Sequence, residues 1–278
     1  MKVGMGQLLV EGGEPERNFT RAQDLIKEAA QKSCDIILLP ECLDLAWTHP
    51  SALSEAQPIP GIYSDRLCDL AQKFHIYICA GLTEKDNNAV YNTAVFIDDS
   101  GNILLKYRKI NALKVELPFY GIGQTLSVVD TRFGKIGVNI CADNYADSLV
   151  IGHTLARMGA QLILSPSSWT VEHGIDETQD PYKEKWLKPF LTLAKLYDLV
   201  IVGATSVGYI VGGPYEGKKM VGCSLAVDKM GILAKGPFLE FAGELVTCEF
   251  KLTERKYHGT EIADSLRDRG YQLIWTID

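Results

Sequence analysis

Two stretches constrain the fold of this chain more than anything else in it: Cys34-Asp35-Ile36-Ile37-Leu38-Leu39-Pro40-Glu41 and Ala160-Gln161-Leu162-Ile163-Leu164-Ser165-Pro166-Ser167. Each contains an unbroken apolar run, follows a segment with helical spacing and stops at a proline. A short run without polar alternation is a strand buried on both faces, as in parallel sheets covered by helices. The expected class is therefore α/β. The echo between the two runs points to two stacked half-sheets, and no period repeats three times, which excludes a solenoid. With 278 residues and no low-complexity linker, residues 1–278 read as one domain.

Around these runs the pattern alternates. Residues 2–10 predict a strand and 15–32 a helix, with Ala22, Leu25, Ile26 and Ala29 on one face. Residues 42–61 form a long irregular connection holding Trp47, His49 and Pro50, of a length that suits the wall of a site. A helix over 63–73 and a strand over 76–81 follow. Strands 90–97 and 102–106 form a hairpin about Asp98-Asp99-Ser100-Gly101, and 107–123 reads as irregular. Strands 125–130 and 134–140 form a second hairpin. Beyond it come a helix over 148–158, a strand over 161–166 and a helix over 186–196. Strands over 199–204, 220–227 and 232–235 and a charged helix over 252–269 complete the chain.

The formal charge of −7 argues against a nucleic-acid partner, which needs a basic stripe. The seven cysteines are odd in number and widely spaced, without a C-x-x-C pair, so neither a disulfide framework nor a zinc site is expected. A reducing, cytoplasmic setting is the expectation. No apolar run is long enough to span a membrane, and the first ten residues do not read as a signal peptide.

The chemistry concentrates at Gly134-Lys135-Ile136-Gly137-Val138-Asn139-Ile140-Cys141-Ala142-Asp143-Asn144-Tyr145. Alternating Ile136, Val138 and Ile140 make a strand that ends abruptly at Cys141. A cysteine between a strand and a helix is well placed as a nucleophile, because backbone N–H groups at the turn can receive developing negative charge. Taken alone, Cys141 would be one more buried, inert thiol. Two other strand ends change that reading. Glu41 follows the first apolar run and its proline. Lys109 lies in Leu105-Lys106-Tyr107-Arg108-Lys109-Ile110, with Glu116 seven residues on among apolar neighbours. A desolvated glutamate can take and return the thiol proton, and a lysine can steady both thiolate and oxyanion. None of the five histidines has a context that fits this role, and His153 reads as a packed helix residue.

With these pieces in order, the chain resembles the nitrilase, or carbon–nitrogen hydrolase, superfamily. The resemblance rests on Leu39-Pro40-Glu41, Tyr91-Asn92-Thr93-Ala94, Tyr107-Arg108-Lys109-Ile110, the Cys141 stretch, Arg157-Met158-Gly159-Ala160 through Pro166, and Gly222-Cys223-Ser224 with Asp228-Lys229-Met230-Gly231. It implies a four-layer αββα sandwich of the nitrilase type and a Glu41–Lys109–Cys141 triad. Glu116 matches the second glutamate of many members, and the Ala142 N–H matches the oxyanion donor. The sequence departs from the pattern at Ala142, where an aromatic residue is common. It also lacks the usual His-Leu pair after the lysine. Asp143 is more amidase-like than nitrilase-like.

The expected activity is hydrolysis of a small linear amide or carbamoyl compound through a cysteine thioester, with no metal or organic cofactor. A nitrile substrate, or acyl transfer with the same triad, is the alternative. A binding protein on an inactive scaffold is disfavoured, because all three triad positions are filled. Tyr120, Asn144, Trp169 and His173 lie beside motif positions and are candidate pocket residues, as are Trp47, His49 and Glu172. Glutamine at Glu116 is expected to be milder than changes in the triad. Such proteins generally pair, so a homodimer or higher even oligomer is expected, with the C-terminal tail, about 252–278, packed at the subunit interface.

Overall fold

A computed structural model describes residues 1–179, 182–254 and 268. The first half of the chain builds β1 (Lys2–Gln7), α1 (Pro15–Gln31), β2 (Ile36–Leu38), α2 (Ala52–Glu55), α3 (Ile62–Phe74), β3 (Tyr77–Asp86), β4 (Ala89–Ile97) and β5 (Ile103–Arg108). The second half builds β6 (Val128–Thr131), β7 (Gly134–Val138), α4 (Val150–Arg157), β8 (Leu162–Ser167), β9 (Thr170–Val171), α5 (Lys188–Tyr197) and β10 (Val200–Thr205). It ends with β11 (Val207–Tyr209), β12 (Lys219–Val221), β13 (Leu225–Asp228), β14 (Gly231–Lys235) and β15 (Glu244–Glu249).

Two six-stranded sheets result, in the orders β15-β1-β2-β3-β4-β5 and β6-β7-β8-β10-β13-β14. They correspond strand for strand. Each has a parallel trio, β1-β2-β3 or β7-β8-β10, flanked by one antiparallel strand on one side and an antiparallel pair on the other. Helices α1 and α3 connect the first trio, and α4 and α5 the second. The sheets stack through β1 on β10 and β2 on β8, which gives helix, sheet, sheet, helix in layers. The two echoed apolar runs are thus the stacked central strands. Their ends meet: the Glu41 N–H donates to the Ser167 carbonyl, 3.3 Å away.

The lack of polar alternation in β2 has a direct cause. Ile36 and Leu38 face the second sheet, while Ile37 and Leu39 face the helices, so all four are fully buried. Burying such side chains contributes about 1.5–3 kcal/mol each. On α1, Phe19, Ala22, Leu25, Ile26 and Ala29 form the inward stripe, and Pro15 occupies the first turn, where its missing N–H costs nothing.

Several elements differ from the sequence reading. Strand β5 continues through Tyr107 and Arg108, because Arg108 stays in register opposite Thr93. The stretch read as one strand over 220–227 is two strands. Gly222 (φ 68°) and Cys223 (φ 57°) take left-handed conformations that no strand tolerates, so the chain leaves the small sheet β11-β12-β9 and enters the large one. The edge strand β15 was not expected. Of the expected helix over 252–269, residues 252–254 are irregular; the rest of that segment, and the tail, lie outside the described residues apart from Asp268. Among the described residues no helix is long and apolar enough to cross a membrane.

Candidate active site

The C-terminal ends of β2, β5, β7 and β8 converge at the seam between the sheets. After β2 the chain runs through Pro40 into Glu41, held by backbone bonds from Gly81 N–H to Pro40 O (3.0 Å) and from Leu43 N–H to Gly81 O (2.9 Å). A Cβ on Gly81 would lie 2.5 Å from the Glu41 Cα, so glycine is required for β3 to press against this strand end. Lys109 is the first residue past β5. Its N–H donates to the Asn92 carbonyl of β4 (2.9 Å), which aims its side chain inward.

Cys141 begins a single 3₁₀ turn, Cys141–Asn144, and has φ 46°. A left-handed conformation is costly for a residue with a Cβ, on the order of 1 kcal/mol or more, so the surroundings must hold it. Asp143 does much of this. Its carboxylate accepts from Ile140 N–H (2.9 Å), Asn111 N–H (2.8 Å) and the Tyr107 hydroxyl (2.6 Å). Asn144 completes the brace, donating to Cys141 O (3.2 Å), Asn139 Oδ1 (3.0 Å) and Ser165 Oγ (2.9 Å). Ser148 Oγ and Asn111 Nδ2 both donate to the Ala142 carbonyl.

The charged centre is Lys109, between two carboxylates. Its Nζ donates to Glu41 Oε1 and to Glu116 Oε1, both at 2.8 Å, and all three side chains are essentially sealed from solvent. Asn92 Nδ2 bridges the same two oxygens at 2.6 and 3.2 Å. Glu116 also accepts from Trp47 Nε1 (2.7 Å) and Leu113 N–H (2.6 Å). Such a buried ionic set is costly to break, about 3–5 kcal/mol when one partner is removed, because an uncompensated charge remains.

The proton affinities follow from this layout. Burial pushes the Glu41 carboxyl up, and Glu116 adds to the rise, against the pull of Lys109 and Asn92. Burial alone would depress Lys109, but Glu116, Glu41 and Cys141 hold it well above its ordinary value, so it stays a cation. Burial, then Glu41, push the Cys141 thiol well up, opposed by Lys109 and a hydrogen bond from the Ser168 N–H. The thiol therefore rests protonated beside a carboxylate with raised proton affinity. Glu41 Oε2 has no hydrogen-bond partner. An unpartnered carboxylate oxygen in a dry site is available to a proton.

A cavity of about 290 Å³ opens onto Cys141. Trp47, Tyr145, Trp186 and Tyr215 give it aromatic walls, with Leu113, Val171 and Ile175 between them, Ser168 and Thr170 as hydroxyls, and Glu172, Lys185 and Lys218 as charges. Glu172 and Lys218 pair at 2.6 Å.

The four residues Glu41, Lys109, Glu116 and Cys141 thus come together, and Trp47 and Glu172 reach the cavity wall. The other pocket candidates do not line it. Tyr120 is buried against Cys42, Trp47 and Ala52, and its hydroxyl accepts the Thr48 N–H (3.0 Å), so it anchors the loop that carries Trp47. Trp169 lies one layer behind, its ring stacked on Trp186 at 4.7 Å. Asn144 spends its amide on the turn, and His173 is exposed against Tyr209. His153 packs between α4 and α5, with Nδ1 2.7 Å from the Tyr197 hydroxyl. Sequence reasoning missed Asn92, although a buried amide in the middle of an otherwise apolar strand was a visible signal. It also missed Tyr145, Ser168, Lys185, Trp186 and Tyr215. Among the described residues no group of His, Cys, Asp and Glu side chains could hold a metal ion.

The carbon–nitrogen hydrolase family model matches residues 2–254. An omega-amidase from Xenopus tropicalis is 32% identical over 184 residues, covering 62% of this chain and 65% of that protein. A nitrilase from Pyrococcus abyssi is 35% identical over 173 residues, covering 60% of this chain and 65% of that protein. The match therefore spans just under two thirds of the length of these curated relatives. Among solved structures, a variant of the amidase from Nesterenkonia sp. AN1, with acrylamide added at its active-site cysteine, superposes with a TM-score of 0.78. That likeness covers 97% of this chain and 96% of the other; at 19% identity it bears on the fold.

Proposed function

The chain belongs to the carbon–nitrogen hydrolase family, and from that premise we propose that it hydrolyses the C–N bond of a small linear amide or carbamoyl compound through a thioester on Cys141. The observation that carries this reading is the buried Lys109 cation shared by Glu41 and Glu116 beside a protonated thiol. Glu41 takes the thiol proton at its unpartnered oxygen as sulfur attacks the carbonyl carbon. The oxyanion receives the Lys109 ammonium and the Ala142 N–H. One preorganised donor of this kind contributes about 3–4 kcal/mol. Glu41 then protonates the departing nitrogen, releasing ammonia or an amine and leaving the thioester. Water enters, Glu41 removes its proton, and the acid leaves with the thiol restored.

Relatives named omega-amidase suit an amide substrate, and the relative named nitrilase keeps a nitrile as the alternative. Acyl transfer would use the same residues with an amine in place of water. The small cavity and the overall negative charge suit a small molecule rather than nucleic acid. The reading places the enzyme in the cytoplasm, consistent with its seven free cysteines. It also pairs the enzyme as a homodimer, to which the exposed Val150 of α4 and Met158, just past its end, lend an apolar face. The decisive experiment is Cys141→Ala, which should lower amide turnover by roughly four to six orders of magnitude while the fold persists. Intact-mass spectrometry of the wild type with substrate should show an acyl adduct that the variant lacks. An adduct mapped to Cys42 would reject the assignment.

A further inference from the structure

Packing alone does not account for Asn92. On β4, Ala94 and Phe96 face the second sheet, while Val95 and Ile97 face the helices. Strand alternation puts Asn92 on the inward face with Ala94 and Phe96, where it is buried. Its Oδ1 has no hydrogen-bond partner. A buried polar atom left unpartnered weakens a fold, so its retention calls for a reason. The amide cannot turn over to relieve it. Nδ2 faces the Oε1 atoms of Glu41 (2.6 Å) and Glu116 (3.2 Å), and a reversed amide would set a third oxygen against both.

The donors around Glu41 show what the amide does. Lys109 Nζ reaches the same two oxygens, 2.8 Å from each, so two nitrogens alternate with two oxygens in a closed ring. Glu41 Oε1 therefore holds two donors and Oε2 none. Both lone pairs of Oε1 are in use, and an incoming proton is left with Oε2. The two donors come from different elements, Lys109 from the end of β5 and Asn92 from within β4. Together they fix the plane of the carboxylate, which a single bond from a flexible lysine would not. The Asn92 carbonyl separately accepts the Lys109 N–H at 2.9 Å, so a change of side chain at this position leaves that backbone tie in place.

We propose that Asn92 is a positioning residue for the proton transfer: with Lys109 it occupies one oxygen of Glu41 and so presents the other to the Cys141 thiol. This rests on the thioester reading of the same site and adds to it the choice of oxygen. As sulfur attacks, the S–H bond breaks and its electron pair stays on sulfur. The C–S bond forms, the carbonyl π pair moves onto oxygen, and the proton bonds to Oε2. The titratable groups facing Glu41 are Lys109, Glu116, Cys141 and Tyr145, with Cys42 next in the chain. Burial and Glu116 push the Glu41 carboxyl up, and Lys109 and Asn92 pull it back.

The test pairs Asn92→Leu, which keeps the branched shape and removes the donor, with Asn92→Asp, which keeps the shape and adds a third carboxylate. Ammonia release is followed from acid to alkaline pH. In Asn92→Leu, kcat should fall by about thirtyfold with KM held within about threefold, because Asn92 does not line the cavity. The acid limb of kcat/KM should move up by about one pH unit, since the ionised Glu41 has lost a donor. Asn92→Asp should move it at least as far. Alkylation of Cys141 by iodoacetamide, followed by intact mass, reads removal of the thiol proton without turnover, and it should slow and shift in the same way. An equal fall at every pH with the limb unmoved would make Asn92 a packing residue and overturn the inference. So would a loss confined to KM, activity within about threefold of wild type, or failure of both variants to fold in thermal scans. If no amide is turned over, yet alkylation slows and its acid limb rises in Asn92→Leu, the amidase reading fails and the role of Asn92 stands.

Discussion

Replacing Glu116 by glutamine separates a passive second carboxylate from one that belongs to the proton-transfer device. Both oxygens are in use. Oε1 accepts from Lys109, Trp47 and Asn92, and Oε2 from the Leu113 N–H. A glutamine must turn its NH₂ toward one of these sets, and either orientation faces donor against donor. A lost hydrogen bond with a buried donor left unsatisfied costs about 1–3 kcal/mol, and the weaker hold on Lys109 adds to it. The substitution should therefore lower kcat/KM by about a hundredfold, roughly 3 kcal/mol, which is harsher than the sequence suggested. It should also move the pH profile. Glu41 and Glu116 share the Lys109 nitrogen through 2.8 Å bonds, so their oxygens lie within roughly 6 Å, where two charges interact by about 3 kcal/mol at an effective dielectric constant near 20. The negative charge of Glu116 raises the Glu41 carboxyl. Removing it lets Glu41 release its proton at lower pH. If Glu41 must be ionised to act as base, the acid limb of kcat/KM should shift downward by roughly one to two units. The assay is ammonia release from an amide across pH 4–9, with thermal unfolding to check the fold. Activity within threefold of wild type, or a limb that stays or moves up, would refute the reasoning.

Glu41→Gln, which cannot shuttle a proton, and Lys109→Ala, which removes the shared cation, should each reduce turnover by roughly three orders of magnitude or more, measured in single-turnover assays; half-maximal activity in Glu41→Gln would move the base elsewhere. Asp44 tests stability instead. Burial pushes its carboxyl up to about 6 despite hydrogen bonds from Thr83. A raised folded-state value means that its contribution is fully present below its unfolded value near 3.9 and is lost as pH rises through about 6. The difference in unfolding free energy between wild type and Asp44→Asn should therefore fall by roughly 2 kcal/mol between pH 4 and 7 in urea titrations, and a rise would contradict the sign. Light scattering should give about twice the 30.7 kDa chain mass, or a higher even multiple, and a fully active monomer would remove assembly from the picture.

What the sequence revealed follows from where the residues sit. The layered fold was readable from the runs at 36–39 and 162–164, because burial on both faces leaves a continuous apolar signature. Glu41, Lys109 and Cys141 were visible because each interrupts or directly follows a strand. The cavity wall was not, because closeness in sequence is not closeness in the cleft. Trp169 is next to Ser168 but faces the core, and Asn144 is three residues from Cys141 but turns back to brace it. Trp186 and Lys185 come from a π turn, Lys183–Leu187, whose extra residue shifts every side chain after it, so helical spacing assigns the wrong faces there. The break at Gly222 and Cys223 was hidden because the apolar residues on either side belong to two different sheets.

The strand-for-strand match of the two sheets makes this chain behave as a dimer joined covalently. One half supplies Glu41, Lys109 and Glu116; the other supplies Cys141 and the Ser168 N–H that touches its sulfur. Neither half holds a working set, so catalysis depends on their mutual docking rather than on either sheet. Because both are on one polypeptide, their effective concentration is fixed by the connection and does not fall on dilution, as it would for two separate subunits. The cost is that loosening the seam between the sheets disconnects nucleophile from base while each half keeps its own strands and helices.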